Sequence, residues 1–345
     1  MSTNKDFFTT IGFGSKSSSK KFLDPADYIY ESYKEISDED SKNFLDYRKN
    51  WNDSLKLKIF DFPLYIMTEQ TFSCNFICPQ CILGNSEEKK AFDPKIPLLP
   101  INLFKKIIDE GENHKCRSLS VHHINEPLLV KDLPERISYA RKHGFLDIHM
   151  ITNGQLLDEK KASDLIKSGI TRIMISLDAF SKETYEKIRI GGDFDKVKEN
   201  IINVVKIRNE LGLKLPIIRT SFVLQKDNLH EVDEFKKYWS DIVDYVHIQA
   251  YQKPYETAED FRTKTNSLPE GQFKCDQPFN RIVIRADGTV LPCCSFLAYE
   301  LPMGNINNFS ISEIWNSDEF KKMRTMHLNG NYKQNEVCKK CVENF

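Results

Sequence analysis

Between residues 62 and 251 the chain alternates short β-type runs with longer helical ones, and few folds accept that pattern six times over. The β-type runs lie at residues 63–69, 118–124, 147–152, 172–178, 217–224 and 245–249. Charged, helix-periodic stretches at 102–112, 133–143, 158–168, 194–211 and 230–239 separate them. Mostly apolar strands joined by helices are parallel strands covered by those helices. Eight such units close a full barrel of about 250 residues. Six units in this span predict an α/β fold, an open, partial (β/α)6 barrel of the TIM type. In such sheets chemistry gathers at the carboxyl ends of the strands.

The flanks read differently. Residues 1–24 form a polar, Ser- and Lys-rich stretch, expected to be a flexible tail, without the apolar core of a secretory signal. Residues 25–60 are expected to be a helical extension, since Tyr28, Tyr30, Tyr33, Phe44, Tyr47 and Trp51 recur at helix-like spacings. The barrel is expected over 61–254 and a small second domain over 255–345. That domain begins with a polar linker at 258–271 and continues with two short strands around Asp287-Gly288, a strong hairpin signal. A helix over 312–326 and the Cys338/Cys341 pair follow. A formal net charge of -1 gives no global attraction to nucleic acid or an anionic membrane surface. No run approaches the roughly 20 apolar residues of a membrane span. A cytoplasmic location is the expectation.

Nine cysteines, an odd number clustered in close pairs, argue against a disulfide framework and for metal or iron–sulfur ligation. Cys74-Asn-Phe-Ile-Cys78-Pro-Gln-Cys81 falls directly after the first predicted strand. Three thiolates suit a cubane of four irons and leave one iron without a protein ligand. An open metal position is what a catalytic centre needs. Zinc knuckles instead favour two CxxC pairs, and no fourth ligand lies near this triplet. Cys116 precedes the second strand, at the end away from the chemistry, and reads as a buried inert thiol. His122 and His123 end that strand, so one should point inward, for packing and hydrogen bonding or for a substrate contact. Gly191-Gly192 follows no strand and precedes no Lys-Ser, so it reads as a helix break and not a phosphate loop.

The CxxxCxxC loop after the first strand of a half-open barrel resembles the radical S-adenosylmethionine (SAM) superfamily, over roughly residues 62 to 341. The resemblance implies that SAM's amino and carboxylate groups chelate the open iron. Reductive cleavage of SAM would then give a 5'-deoxyadenosyl radical that abstracts hydrogen from substrate. Asn125-Glu126-Pro127 stands where the family usually has Gly-Glu-Pro, which gives Glu126 the SAM ammonium. Thr152-Asn153-Gly154 resembles the family's TNG turn. Ser176-Leu-Asp178-Ala resembles its S-x-D-A, which puts Ser176 and Asp178 near the SAM carboxylate and ribose. Arg219 matches the arginine that commonly meets that carboxylate. Two positions depart from the pattern: Asn125 replaces a glycine, and Gln80 replaces an aromatic residue or Met before the third cysteine.

Cys275-Asp-Gln-Pro278, Cys293-Cys294, Gly304-Asn305-Ile306, Ile314-Trp315-Asn316 and Cys338/Cys341 resemble the SPASM/twitch extension of the same enzymes. A complete SPASM domain carries seven cysteines and two auxiliary clusters. Five cysteines imply the twitch form, one auxiliary [4Fe-4S] cluster on Cys275, Cys293, Cys338 and Cys341, with a zinc ribbon on the same thiolates as the alternative. Cys294 is left to replace Cys293, to pack passively, or to serve catalysis by giving a hydrogen atom to a substrate radical. The resemblance further implies a flavodoxin or ferredoxin reductant. The reaction expected is dehydrogenation, dehydration or epimerisation of a small polar substrate such as a sugar, aminocyclitol or nucleotide sugar. Modification of a ribosomally made peptide is the alternative. A non-catalytic zinc-binding interaction protein is a third reading, from another class.

Overall fold

The computed structural model describes residues 11–13, 25–84, 86–92, 98–251 and 273–343. Most of the expected tail and the whole of the expected linker at 258–271 lie outside the described residues. The strands are β1 (Ile11–Phe13), β2 (Tyr65–Thr68), β3 (Ser118–Ser120), β4 (Asp147–Thr152), β5 (Arg172–Ser176), β6 (Ile217–Leu224), β7 (Tyr245–Ala250), β8 (Arg281–Ile284), β9 (Thr289–Leu291) and β10 (Gly304–Asn305). They form one sheet in the order β1-β7-β6-β5-β4-β3-β2-β8-β9-β10. Strands β2 to β7 are the six expected parallel strands, each beside its sequence neighbour.

The alternation of side chains along each strand decides what the sheet encloses. On the outer face Ile148, Met150, Ile173, Ile175, Ile218, Phe222, Val246 and Ile248 are buried in the main core. The apolar stripes of the covering helices meet them: Phe104 and Ile107 from Ile101–Asn113, Leu165 from Glu159–Ser168, Val197 and Val204 from Phe194–Glu210, and Trp239 from Val232–Trp239. Each such side chain contributes about 1.5–3 kcal/mol by leaving water. Local signals set the helix ends. Asp158 accepts the Lys161 N–H at 2.8 Å to start Glu159–Ser168, and Gly169, at φ +87°, closes it.

The inner face is polar, which the expectation of mostly apolar strands did not contain. Paired registers stack it in layers, with apolar members among the polar ones: Tyr65, Ser118 and Asp147, then Met67, Ser120, His149, Arg172 and Ile217, then Ile151, Met174, Arg219 and Tyr245, then Ser176, Ser221 and His247. A six-stranded barrel stays open and leaves room inside, so its inner wall need not be filled by aliphatic layers.

The C-terminal hairpin also differs from expectation, because it continues the sheet. Strand β8 pairs parallel with β2, and β9 and β10 follow antiparallel. Gly288 turns the hairpin at φ +85°, where a Cβ would stand 2.8 Å from Asn307 Nδ2. The helices Pro25–Ile36 and Asp38–Ser54 pack Ile29, Tyr33, Phe44 and Tyr47 against Leu146 and Ile217, at the amino ends of the strands. Tyr33 donates to the Leu146 carbonyl at 2.6 Å and Tyr47 to Asp147 Oδ2 at 3.3 Å. The carboxyl ends remain free for a site. Among the described residues no helix is long and apolar enough to cross a membrane.

Candidate active site

The cysteine loop leaves β2 and is held by its own backbone. Cys81 N–H donates to the Cys78 carbonyl at 3.0 Å, and Gly84 N–H to the Cys81 carbonyl at 2.9 Å. A Cβ on Gly84 would stand 2.1 Å from the Cys78 carbonyl oxygen, so the tight turn excludes any side chain there. Ile77 N–H reaches the Ile190 carbonyl at 3.0 Å. Gly191, at φ +97°, and Gly192 let the chain pass Phe76, whose ring would lie 2.9 Å from a Cβ at position 192. The helix break expected at this pair therefore also supports the cysteine loop.

Glu126 joins three elements. Its N–H donates to the Ser73 carbonyl at 2.9 Å, which ties the end of the β3 segment to the cysteine loop. Its buried carboxylate accepts from Leu128 N–H (3.0 Å), Thr152 Oγ1–H (2.7 Å) and Asn153 N–H (2.8 Å). Burial pushes the Glu126 carboxyl up from its ordinary range, and those three donors oppose that shift. Asn153 Nδ2 bridges to Asn75 Oδ1 at 2.8 Å and lies 3.7 Å from Cys74 Sγ. Asn125 accepts the His123 N–H at 2.8 Å, while its own Nδ2 is buried with no hydrogen-bond partner among the described residues.

A cavity of about 230 Å³ opens between these groups. Cys74, Cys78 and Cys81 line it together with Glu126, Thr152, Asn153 and Ser176. Burial pushes the Cys74 thiol up to about 12 and Cys81 to about 11, and raises Cys78 as well. Three desolvated thiols become thiolates only when multiply charged metal replaces their protons. Among the described residues no three His, Cys, Asp or Glu side chains converge as ligands of a single ion. The three cysteines line one cavity, a donor set that suits one iron per sulfur. The donor set fits a cluster with an open corner, and the Glu126 carboxylate, with the orphaned Asn125 Nδ2 nearby, fits the polar end of an amino acid.

Two expected SAM contacts lie elsewhere. Arg219 is not on the wall of this cavity; it faces a smaller one of about 60 Å³ deeper in the barrel, beside His149 and Arg172. Asp178, buried and at φ +59°, accepts the Val223 N–H at 2.9 Å and ion-pairs with Arg189. The sequence reading missed Arg189. It lines the cysteine cavity, and its Nη1 approaches Cys78 Sγ to 3.9 Å. It stands in a loop after the helix Lys182–Ile188, outside any motif, where no strand-end signal marks it.

The C-terminal cysteines line a second cavity of about 100 Å³. Burial raises the Cys275, Cys293 and Cys338 thiols, and neighbouring thiols add to each shift: Cys341 for all three, with Cys338 acting on Cys275 and Cys275 on Cys293. Cys275, Cys293, Cys294, Cys338 and Cys341 all line this cavity, and Cys294 also raises its neighbour Cys293. Cys294 Sγ turns toward Gln277 Oε1 (3.2 Å) and Arg281 Nη1 (3.9 Å). His327, also missed, accepts the Cys275 N–H at Nδ1 (3.5 Å) and puts Nε2 3.7 Å from Cys338 Sγ. Cys116 is buried with its Sγ 3.7 Å from the Ser118 carbonyl, at the amino end of β3, as expected of an inert thiol.

A polar chain joins the two cavities. His123 lines the first, and its Nε2 lies 3.4 Å from the Cys294 carbonyl. Its Nδ1 lies 3.3 Å from Tyr299 Oη, and Tyr299 donates to the buried Glu69 carboxylate. Arg285 balances Glu69 at 3.4 Å and stacks over Tyr299. The expectation that one of His122 and His123 faces inward understated the result, because both line the cavity.

Residues 69–238 match the radical SAM superfamily, and residues 275–342 match the SPASM iron–sulfur cluster-binding domain. The chain belongs to the radical SAM superfamily. This radical SAM enzyme is 24% identical over 310 residues to the tungsten-containing aldehyde ferredoxin oxidoreductase cofactor-modifying protein of Pyrococcus furiosus, covering 77% of this chain and 84% of that one. It is 33% identical over 137 residues to a probable GTP 3',8-cyclase of Methanococcus maripaludis, covering 40% of this chain and 44% of the cyclase. Its fold resembles that of BtrN in complex with AdoMet and 2-DOIA, with a TM-score of 0.55, 21% identity, and 84% and 98% of the two chains covered. It also resembles Streptococcus suis SuiB bound to S-adenosylmethionine, with a TM-score of 0.63, 15% identity, and 89% and 85% covered. Membership brings a SAM-binding [4Fe-4S] cluster, SAM itself and auxiliary iron–sulfur ligation.

Proposed function

We propose that this radical SAM enzyme abstracts hydrogen from a small polar substrate, a sugar, aminocyclitol or nucleotide sugar, and completes a dehydrogenation, dehydration or epimerisation. Cys74, Cys78 and Cys81 would hold the catalytic cluster; Cys275, Cys293, Cys338 and Cys341 would hold the auxiliary one. When bound, the first cluster with SAM supplies hydrogen-atom abstraction, and the second supplies a one-electron acceptor.

The chain's own residues do the rest. Glu126, fixed by three donors, keeps a free lone pair for an ammonium group. Thr152 and Asn153 hold that carboxylate in place, and Ser176 lies across the cavity from it as a donor for the ribose or carboxylate. Arg189 takes the carboxylate-facing position expected of Arg219, and Asp178 acts through Arg189. His123 is the acid–base group at the wall. Its place between Tyr299 and the Cys294 carbonyl lets a proton move between a substrate oxygen and the interior. Cys294 remains a candidate hydrogen-atom donor beside the second cavity.

The observation that carries the small-substrate reading is the set of polar side chains, Ser120, His149, Arg172, Arg219 and His247, along the inner face of the barrel beside the cysteine cavity. BtrN, captured with AdoMet and 2-DOIA, supports it at the level of fold. SuiB, captured with the precursor peptide SuiA, keeps a peptide substrate as the second reading. The test is anaerobic turnover with SAM, a flavodoxin or ferredoxin reductant, and carbon-deuterated candidates from both classes. Deuterium in the 5'-deoxyadenosine from a sugar-type compound, and none from peptides, is the expected result. Deuterium transfer from peptides alone would overturn it.

A further inference from the structure

Arg219 sits inside the barrel with no acceptor. No hydrogen bond or ion pair reaches its guanidinium among the described residues, although burial and the nearby Arg172 charge both disfavour the cation. The carboxylate close by, Asp147, gives Oδ2 to Arg172 at 2.6 Å and to Tyr47 and Ser118, while its Oδ1 is buried with no hydrogen-bond partner among the described residues and makes no contact with Arg219. His149 offers no acceptor either. Its Nδ1 faces the Arg172 guanidinium at 3.3 Å, so its Nε2–H points to Tyr65 Oη at 2.9 Å. His122 uses Nδ1 to accept the Ile151 N–H at 3.0 Å. His247, nine-tenths buried, has both ring nitrogens without partners among the described residues, and it feels the Arg219 charge.

A guanidinium cannot shed its proton, and Arg219, partly exposed on the inner face, keeps its charge with no acceptor among the described residues. Arg219 pairs in register with Met174, one layer beneath Ser176, and His247 stands level with Ser176 on the same inner face. Arg219's layer lies two residues, about 7 Å along the strand, below Ser176, and its Ile151 lines both the cysteine cavity and the smaller one beside Arg219.

We infer that Arg219 and His247 form an oxyanion subsite within the barrel, which receives a phosphate or carboxylate of the substrate while the carbon to be oxidised lies above it. The inference rests on the radical SAM reading of the upper cavity and narrows its substrate class to anionic small molecules, sugar phosphates and nucleotide sugars among them. Arg219 supplies the charge, and His247 supplies a second donor that its neutral ring can orient.

The test uses anaerobically reconstituted enzyme and calorimetric titration with inorganic phosphate, pyrophosphate and succinate, alongside SAM. Wild type should bind at least one of these anions and gain thermal stability with it. Phosphate and pyrophosphate against succinate tell a phosphate-bearing substrate from a carboxylate-bearing one. Arg219→Met should weaken anion binding by ~10-fold or more and keep its SAM affinity. Arg219→Lys should retain part of the anion affinity, and His247→Gln should lower it, so a poorly folded methionine variant leaves two readouts. Equal anion binding by wild type and Arg219→Met, or none by wild type, overturns the subsite. A loss of SAM affinity with anion binding intact would give Arg219 to the SAM carboxylate instead and overturn it too. Failure of wild type to bind SAM would strike the radical SAM reading and not this one.

Discussion

Replacing Asp178 should damage the protein in a graded and calculable way. Its carboxylate is 1% exposed, faces Arg189 at 16% exposure, and accepts the Val223 N–H at 2.9 Å; Asn228 Nδ2 holds its carbonyl at 2.9 Å. Removing one member of a buried ion pair costs about 3–5 kcal/mol, because the partner charge is stranded. Arg189 keeps its 3.9 Å approach to Cys78 Sγ, and asparagine keeps an oxygen for Val223. Asp178→Asn should therefore fall near the low end, about 3 kcal/mol. Asparagine visits positive φ readily, whereas alanine at φ +59° adds a further ~1–2 kcal/mol. Arg189→Met in the asparagine background should recover most of the loss, since no stranded charge remains. Anaerobic urea unfolding of wild type, Asp178→Asn, Arg189→Met and the double variant, read as a double-mutant cycle, measures the coupling. An asparagine variant within ~0.5 kcal/mol of wild type, or strictly additive losses, would refute the reasoning.

Other residues offer independent checks. His327→Phe removes an N–H facing Cys338 Sγ at 3.7 Å, a contact that favours the more negative, reduced cluster. A loss of about 1 kcal/mol lowers the auxiliary potential by roughly 40 mV, readable by a redox titration followed by EPR. An unchanged potential would mean that His327 only packs. Burial, helped by Arg219, holds the His247 imidazole down at about 4 against an ordinary 6.5. The unfolded chain then binds more protons between those values, so stability is full above ~6.5 and declines as pH falls toward 4. His247→Gln should flatten that acid limb by up to ~1.4 kcal/mol per pH unit, measured as urea midpoints across pH; parallel curves would contradict it.

The sheet was legible because six β-α alternations leave a periodic mark, and the cysteine loop because three thiols at fixed spacing have few other uses. Glu126, Thr152, Asn153 and Ser176 were found through short motifs at strand ends, and all four line one cavity with the cysteines. Arg219 stands off that cavity for a physical reason. It lies early in β6, where an inward side chain faces the barrel interior instead of the strand-end loops. Arg189 and His327 left no trace, since a loop arginine and a helical histidine carry no period and gain meaning only from what packs beside them. The polar inner wall was hidden because strands covered by helices on one face look apolar overall, and a single sequence does not say which residues face inward. The hairpin was visible as a hairpin, but its edge pairing with β2 is a long-range event that local turn chemistry cannot announce.

The most direct measurement pairs metal analysis with SAM cleavage in anaerobically reconstituted protein. Wild type should carry about eight irons per chain, two four-iron clusters, and release 5'-deoxyadenosine once reduced with SAM. A variant with Cys74, Cys78 and Cys81 all changed to Ala should keep about four irons and release none. Zinc in place of iron, or 5'-deoxyadenosine from the triple variant, would contradict a catalytic cluster at these three thiols.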